Sequence, residues 1–144
     1  MHLSKSAEYG LRAVLYLATN YQEGIRFGAK TMAKDLSFPE AFLGKILQNL
    51  VRKGIISSIK GPNGGFFIEN QKMDIPIINI VEAIDGLETL HHCGLGLHNC
   101  NDEKPCPIHK DYRPLRDGFF EILSEKSIRD FKLDIEAGNS FVIV

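Results

Sequence analysis

The three cysteines of this 144-residue chain fall within one short stretch, at Cys93, Cys100 and Cys106. Six and then five residues separate them, and the surrounding segment is rich in glycine and polar residues. Thiolates gathered in a loop are soft metal ligands, and a cysteine followed by proline, as at Cys106, is typical of iron–sulfur loops. An odd number of cysteines argues against a disulfide framework, so a metal centre is the first prediction.

Three thiolates leave one position open in a four-ligand site. His109 lies three residues after Cys106, and the other candidates are a carboxylate from elsewhere or the nearby histidines His91, His92 and His98. Zinc is the second choice, because the cysteine spacings are wider than the CxxC pairs of most structural zinc sites. Free thiols in a surface loop are the alternative to any metal. A centre with one replaceable ligand would be labile, which suits a sensor.

Charge is distributed unevenly along the chain, although the net charge is only −1. The segment 26–62 carries seven lysines and arginines against two acidic residues, a net +5 that leaves −6 for the remainder. A local basic patch is expected where one face of a protein meets nucleic-acid phosphates. By charge alone, a solvated helical face explains the pattern equally well.

Apolar spacing predicts the helices that frame this basic segment. Repeats of three and four residues predict a long amphipathic helix over 4–23 and a short second helix over 29–36. A third helix is predicted over 37–53, because Ser37 and Glu40 form a capping-box pattern at its start.

The third helix has two chemically distinct faces. One is apolar, runs from Phe42 to Val51, and belongs in a core. The other combines small residues with side chains that hydrogen-bond base edges or phosphates, namely Ala41, Gly44, Lys45, Gln48 and Arg52. Taken alone, this pattern also describes an ordinary surface helix.

A glycine-rich hairpin follows the third helix. Two β-rich runs, 55–60 and 66–69, flank a turn of glycine, proline and asparagine. Short helix, turn, two-faced helix and hairpin is the order of a winged helix-turn-helix, whose recognition helix enters the major groove. The residues expected to contact DNA are Lys30, Ala41, Gly44, Lys45, Gln48, Arg52, Lys60, Gly61, Asn63 and Gly64. The loop lacks the ending of a P-loop, and no nucleophile–base motif indicates an enzyme.

Three further helices are predicted beyond the hairpin, over 76–85, over 107–125, and after a cap formed by Ser127 with Asp130. The predicted fold class is therefore mainly α with a small β-hairpin wing and a long C-terminal helix. That helix has an apolar stripe formed by Leu115, Phe119, Ile122 and Leu123. The stripe is either a dimer seam or a face that packs on its own domain.

The composition, 44% hydrophobic and 24% charged, is that of a globular protein. No apolar run approaches the ~20 residues of a membrane span, and no secretory signal opens the chain. We therefore expect a cytoplasmic protein without a membrane partner.

Three stretches of the sequence resemble the Rrf2 family of bacterial winged-helix transcription regulators. They are Ser4–Ala13, Gly54–Phe66 and the cysteine loop that ends in Cys-Pro-Ile-His. The family includes iron–sulfur regulators, nitric-oxide sensors and regulators of cysteine metabolism. The resemblance implies a DNA-binding regulator, expected to be a repressor, that forms a homodimer through its long C-terminal helix. Two winged domains would then bind a palindromic operator in double-stranded DNA.

The chain is divided accordingly into four segments. We expect a winged helix-turn-helix domain over 1–86, a cluster-binding loop over 87–109, dimerisation helices over 110–134 and a C-terminal tail over 135–144.

The resemblance also implies an iron–sulfur cluster, 2Fe-2S or 4Fe-4S, held by Cys93, Cys100 and Cys106. Its fourth ligand would be a histidine just after the third cysteine, here His109, or an acidic residue of the first helix, here Glu8 from the partner subunit. Redox state, nitric oxide or cluster supply would then control DNA affinity. The alternative is a cluster-free family member that responds to thiol oxidation or to a metabolic-enzyme partner.

Overall fold

The structure is a computed structural model that describes residues 3–143, so Met1, His2 and Val144, at the ends of the first and last predicted segments, lie outside the described residues. The helices and strands are, in chain order, α1 (Lys5–Thr19), α2 (Ala29–Leu36), α3 (Glu40–Arg52), β1 (Ser57–Ile59), β2 (Gly65–Phe67), α4 (Ile77–Asp85), α5 (His109–Glu125) and α6 (Ile128–Glu136). Short 3-10 helices at Asn70–Asp74 and Glu88–His91 flank α4. The prediction of a mainly α fold with a small hairpin is confirmed.

Helix α1 lies at the centre of the fold and packs on α3, α4 and α6. Gly10 permits the approach of α4, because a Cβ at this position would lie 2.2 Å from Ile84 Cδ1. The helix ends at Thr19, four residues earlier than predicted. Side chains of the last turn bond its carbonyls: Thr19 Oγ1 donates to Leu15 and Asn20 Nδ2 donates to Tyr16. These side-chain bonds compete with the backbone hydrogen bonds that would continue the helix beyond Thr19.

The turn between α2 and α3 corrects the predicted capping box. Ser37 adopts a left-handed conformation, with φ of 58°, and its backbone N–H closes α2. It therefore ends one helix instead of capping the next. Helix α3 begins at Glu40, with Pro39 before it and no side-chain cap.

The buried face of α3 is narrower than the predicted stripe. Leu43, Leu47 and Leu50 are fully buried, and Ile46 is nearly so. Phe42 is 38% exposed and instead packs its ring edge-on against Tyr9 of α1. The core thus holds one side of α3 and leaves the opposite side in solvent.

The hairpin pairs Ser57 with Phe67 and Ile59 with Gly65 in antiparallel register. Phe27, before α2, pairs with the hairpin through an antiparallel bridge that was not predicted from the sequence. It exchanges backbone hydrogen bonds of 2.9 and 2.8 Å with Phe66. Gly65 is required for this approach: its φ is +144°, and a Cβ there would lie 2.8 Å from the Phe27 carbonyl. The hairpin is therefore tied to the helical core.

The predictions for α4 and α5 hold within two residues, and the capping box of Ser127 and Asp130 is present at the start of α6. The apolar stripe of α5 is divided between core and solvent. Leu123 is buried, whereas Leu115 and Ile122 are 61% and 55% exposed. Among residues 3–143, no helix is long and apolar enough to cross a bilayer.

Candidate metal centre and nucleic-acid interface

The cysteine loop, residues 92–108, brings its three sulfur atoms together between α4 and α5. The Sγ atoms of Cys93, Cys100 and Cys106 all lie within 4.8 Å of one another. Cys93 Sγ lies 3.5 Å from Cys106 Sγ. Cys106 is buried and the other two are half-buried.

Local turns produce this convergence. Asn101 Oδ1 accepts the backbone N–H groups of Glu103 and Lys104, each at 2.9 Å, and so turns the chain between Cys100 and Cys106. At the other end of the loop, Gly94 packs closely on α5, because a Cβ there would lie 3.2 Å from the ring of Tyr112. The loop is thus folded back on the start of α5.

Backbone N–H groups point at the sulfur atoms. Leu95 donates to Cys93 Sγ at 3.4 Å, and this bond together with one from Leu97 lowers the pKa of Cys93 to about 7. The Cys106 N–H donates to Cys100 Sγ at 3.3 Å, but burial and the neighbouring thiols outweigh it and raise the pKa of Cys100. The lowered pKa favours the thiolate form of Cys93, which is the form that binds metal.

His109, the first residue of α5, lies at the edge of the thiol cluster. Its Nδ1 is 3.1 Å from Cys100 Sγ, and its Nε2 is 3.0 Å from Asp102 Oδ1. Asp102 also accepts a hydrogen bond from Arg113, one turn further along α5. The bonds from His109 and Arg113 hold the pKa of Asp102 below its usual range. Neither Asp102 nor Arg113 was predicted from the sequence as a site residue.

Glu8, the other predicted ligand, lies on α1, where its carboxylate pairs with Lys5 at 2.8 Å. Within residues 3–143, the group whose ligand atoms all lie within 4.8 Å of one another consists of the three cysteines alone. Of the remaining histidines, His91 packs against Phe120 of α5. Three thiol groups with an imidazole beside them form a soft donor set, which fits an iron–sulfur cluster and also zinc.

The second candidate site is the solvent side of α3 with the hairpin tip. Gln48, Arg52 and Lys60 line one depression of about 520 Å³ between α3 and the two strands. The predicted DNA-contacting residues that are exposed are Lys30, Ala41, Lys45, Gln48, Arg52, Lys60, Gly61 and Asn63. Gly44 and Gly64 are half-buried, and open space surrounds the position of a Cβ at Gly44. All the predicted residues except Lys30 on α2 thus lie on α3 or at the hairpin tip.

The hairpin tip is a tight turn. The Gly64 N–H donates to the Gly61 carbonyl at 3.0 Å, with Pro62 at the second turn position, where its φ is favoured. A Cβ on Gly64 would lie 2.0 Å from the Ile59 carbonyl oxygen, so this position excludes other side chains.

The cations of this surface are not neutralised by the protein. Among the described residues, no ion pair involves Lys30, Lys45, Arg52 or Lys60. The ion pairs that do occur lie at the start of α1 and in the C-terminal half. The surface therefore has a positive potential suited to phosphates.

Residues 3–133 match the model of the Rrf2 family, described as an iron-dependent transcriptional regulator. The chain belongs to the Rrf2 family. A putative HTH-type transcriptional regulator of Aquifex aeolicus is 28% identical over 145 residues, which is 99% of each chain. The HTH-type transcriptional regulator IscR of Photorhabdus laumondii is 25% identical over 131 residues, covering 90% of this chain and 78% of the relative.

Solved structures share the fold of this Rrf2 protein. CymR, the global cysteine regulator of B. subtilis, superposes with a TM-score of 0.71 at 23% identity, covering 92% of this chain and 96% of CymR. IscR of T. potens superposes with a TM-score of 0.71 at 20% identity, covering 98% of this chain and 93% of IscR. The predicted winged-helix fold is confirmed. The Rrf2 protein is a DNA-binding transcription regulator, of a family that is not enzymatic.

Proposed function

We propose that this Rrf2 regulator binds an iron–sulfur cluster through Cys93, Cys100 and Cys106, and that the cluster controls its affinity for DNA. The convergence of three sulfur atoms within 4.8 Å carries this proposal. The family description, an iron-dependent regulator, supports it. The proposal covers both a 2Fe-2S and a 4Fe-4S cluster.

His109 is the proposed fourth ligand. Its Nδ1 already lies 3.1 Å from Cys100 Sγ, whereas Glu8 is engaged by Lys5 on its own helix. A contribution from Glu8 would require a partner subunit. His109 also joins the loop to α5, since it is the first residue of that helix.

In this proposal, the solvent side of α3 enters the major groove and the hairpin tip lies on the backbone of palindromic double-stranded DNA. Lys60 would contact phosphates, and Gln48 would contact base edges, because amide side chains read adenine. The remaining contacts are assigned to the predicted residues Lys30, Ala41, Gly44, Lys45, Arg52, Gly61, Asn63 and Gly64.

The two DNA-binding units would be joined in a homodimer through α5. Leu115 and Ile122 are exposed on this helix, while Leu123 holds it to the core. We accordingly retain the segments proposed from sequence, 1–86, 87–109, 110–134 and 135–144, as the functional division.

An iron–sulfur cluster held by the three cysteines would supply a redox-active, thiolate-bound iron centre that reacts with nitric oxide. The chain contributes the coupling: the cysteine loop packs on the start of α5 through Gly94, and α5 carries the proposed dimer contacts. A change in the loop then shifts the spacing of the two α3 helices, and so the population of the DNA-competent dimer. Repression is the expected outcome of DNA binding.

Anaerobic purification followed by iron and sulfide analysis tests the proposal, with Cys100→Ala as the matched variant. The parent is expected to be coloured and to hold iron and sulfide, and the variant to lose both. DNA binding is measured with loaded and cluster-free protein on the same operator. A colourless parent without iron or sulfide would overturn the cluster claim.

A thiol-sensing regulator is the second candidate, favoured by the 3.5 Å approach of Cys93 Sγ to Cys106 Sγ. Oxidation by peroxide would join the two sulfurs in a disulfide, with two electrons and two protons passing to peroxide to form two waters. Mass spectrometry of cluster-free protein after mild peroxide treatment tests this. A Cys93–Cys106 disulfide that changes DNA affinity in protein without iron supports it, and unchanged affinity excludes it.

A further inference from the structure

The two ring nitrogens of His109 have different neighbours. Nδ1 faces the thiol cluster and lies 3.1 Å from Cys100 Sγ, while Nε2 lies 3.0 Å from Asp102 Oδ1. An ionised carboxylate only accepts hydrogen bonds, so the proton between these two groups belongs to Nε2. In the neutral imidazole this leaves the Nδ1 lone pair directed toward Cys100 Sγ.

Asp102 is itself held in place by the start of α5. Arg113, one helical turn after His109, donates to the same carboxylate oxygen, and it also contacts Asp117 at 3.5 Å. Asp102 therefore links the loop to α5 through two residues of that helix, His109 and Arg113. His109 is 12% exposed and Asp102 is 65% exposed, so the carboxylate covers the imidazole from the solvent side.

The geometry points to Asp102 as a positioning residue, which orients His109 so that Nδ1 faces Cys100 Sγ at the edge of the thiol cluster. This inference rests on the proposed function, since it assigns His109 a partner that sets its tautomer and ring orientation. Histidine ligands commonly donate their second nitrogen to a carboxylate, and loss of that carboxylate weakens metal binding about 10- to 100-fold. Arg113 supports the arrangement by fixing the carboxylate.

The first test measures cluster retention in full-length protein. Asp102→Ala is expected to lose its cluster to a chelator about 10- to 100-fold faster than the parent under anaerobic conditions. Asp102→Asn keeps an oxygen that accepts from Nε2, so it should recover part of the difference. Asp111→Ala, which removes an exposed acid from the first turn of α5, is the matched control and should behave as the parent.

The double variant separates positioning from a general charge effect. In a His109→Ala background, Asp102→Ala should cause no further acceleration, because the group it orients is absent. An equal acceleration in both backgrounds would show that Asp102 acts by another route and would overturn the inference. Unchanged retention in Asp102→Ala alone would overturn it as well.

The second test needs no cluster. Nitrogen-15 NMR of reduced, cluster-free protein should show His109 protonated at Nε2, with a hydrogen-bonded proton signal that disappears in Asp102→Ala and persists in Asp111→Ala. An unchanged signal in Asp102→Ala overturns the inference. If the parent takes up no cluster, the proposed function fails, and this experiment still decides whether Asp102 holds His109.

Discussion

The winged region, residues 27–69, and the cysteine loop are held together by different forces. In the winged region, Leu43, Leu47 and Leu50 are fully buried, and backbone hydrogen bonds join Phe27 to the hairpin. In the cysteine loop, Cys106 is the only buried residue of the segment 92–108, and sulfur atoms serve as hydrogen-bond acceptors.

This difference separates the folding of the two regions. Burial of apolar side chains stabilises the winged region without any ligand. The loop has few such contacts and is held mainly by hydrogen bonds of Asn101 and Asp102, so a bound cluster would add to its stability. In the proposed function, this arrangement lets the cysteine loop change while the DNA-binding region keeps its shape.

The largest expected effect is that of Cys106→Ser on metal content. Its sulfur is the buried member of the cluster, so the variant should retain almost no iron or sulfide. Thermal unfolding of the cluster-free forms should be nearly unchanged, since the winged region does not rest on this loop. The exposed residue His98 offers the control His98→Ala, which should keep its metal. Collapse of the whole fold in Cys106→Ser would break the distinction between the regions.

The next effect compares one leucine from each region. Leu47→Ala leaves a cavity under α3 and should lower the free energy of unfolding by about 2–5 kcal/mol. Leu97→Ala should change it by less than about 0.5 kcal/mol, because Leu97 is 52% exposed. Urea denaturation of both cluster-free variants measures the difference. Similar losses in the two would contradict the stated division of packing.

A smaller effect concerns the contact between α1 and the winged region, where the Tyr16 hydroxyl donates to Asp35 at 2.6 Å. Tyr16→Phe should cost about 1 kcal/mol near pH 8. Burial and the Asp35 carboxylate raise the pKa of Tyr16 to about 12. Because the unfolded value is about 10, this contribution is present below pH ~10 and is lost as the pH rises toward 12.

Denaturation at several pH values measures that contribution. The parent should lose stability relative to Tyr16→Phe between about pH 10 and 12. Tyr21→Phe, at a residue that is 36% exposed, is the control and should show no such convergence. A constant difference across this range would contradict the assigned role of the hydrogen bond.

The smallest expected effect is that of Lys60→Ala on DNA binding. Loss of one phosphate contact should weaken binding to every sequence and reduce the salt dependence by about one charge. Gln48→Ala should instead weaken binding to the operator more than to other DNA. Lys126→Ala, an exposed cation away from α3, is the control. Equal losses on all sequences for both Lys60→Ala and Gln48→Ala would show that their roles are misassigned.

Much of the fold followed from local patterns, and the exceptions have physical causes. The capping box at Ser127 was predicted correctly, while the same pattern at Ser37 was misread because this residue closes the preceding helix. Both patterns look alike in one dimension. Whether such a serine caps the next helix or closes the preceding one depends on the preceding helix, which lies outside the local motif.

The candidate sites were predictable to different degrees. Residues of the solvent side of α3 followed from helical periodicity, which marks the side opposite the core. The partnership of Asp102 with His109 did not, because the two residues meet only after the loop turns back on α5. An acidic residue in a polar loop gives no local signal of such a contact.

Residue types and their spacing were enough to predict the helices, the glycine-rich wing, the clustered basic charge and the presence of three soft ligands in one segment. These features depend on residue type and short-range spacing, so each segment shows them independently of the rest of the chain. The approach of the sulfur atoms, the position of His109 beside Cys100 and the pairing of Phe27 with the hairpin depend instead on the tertiary structure. Such contacts join residues that are distant in sequence, and they form only when the loops between them bring separate elements together. The packing of the whole core determines which of these contacts form.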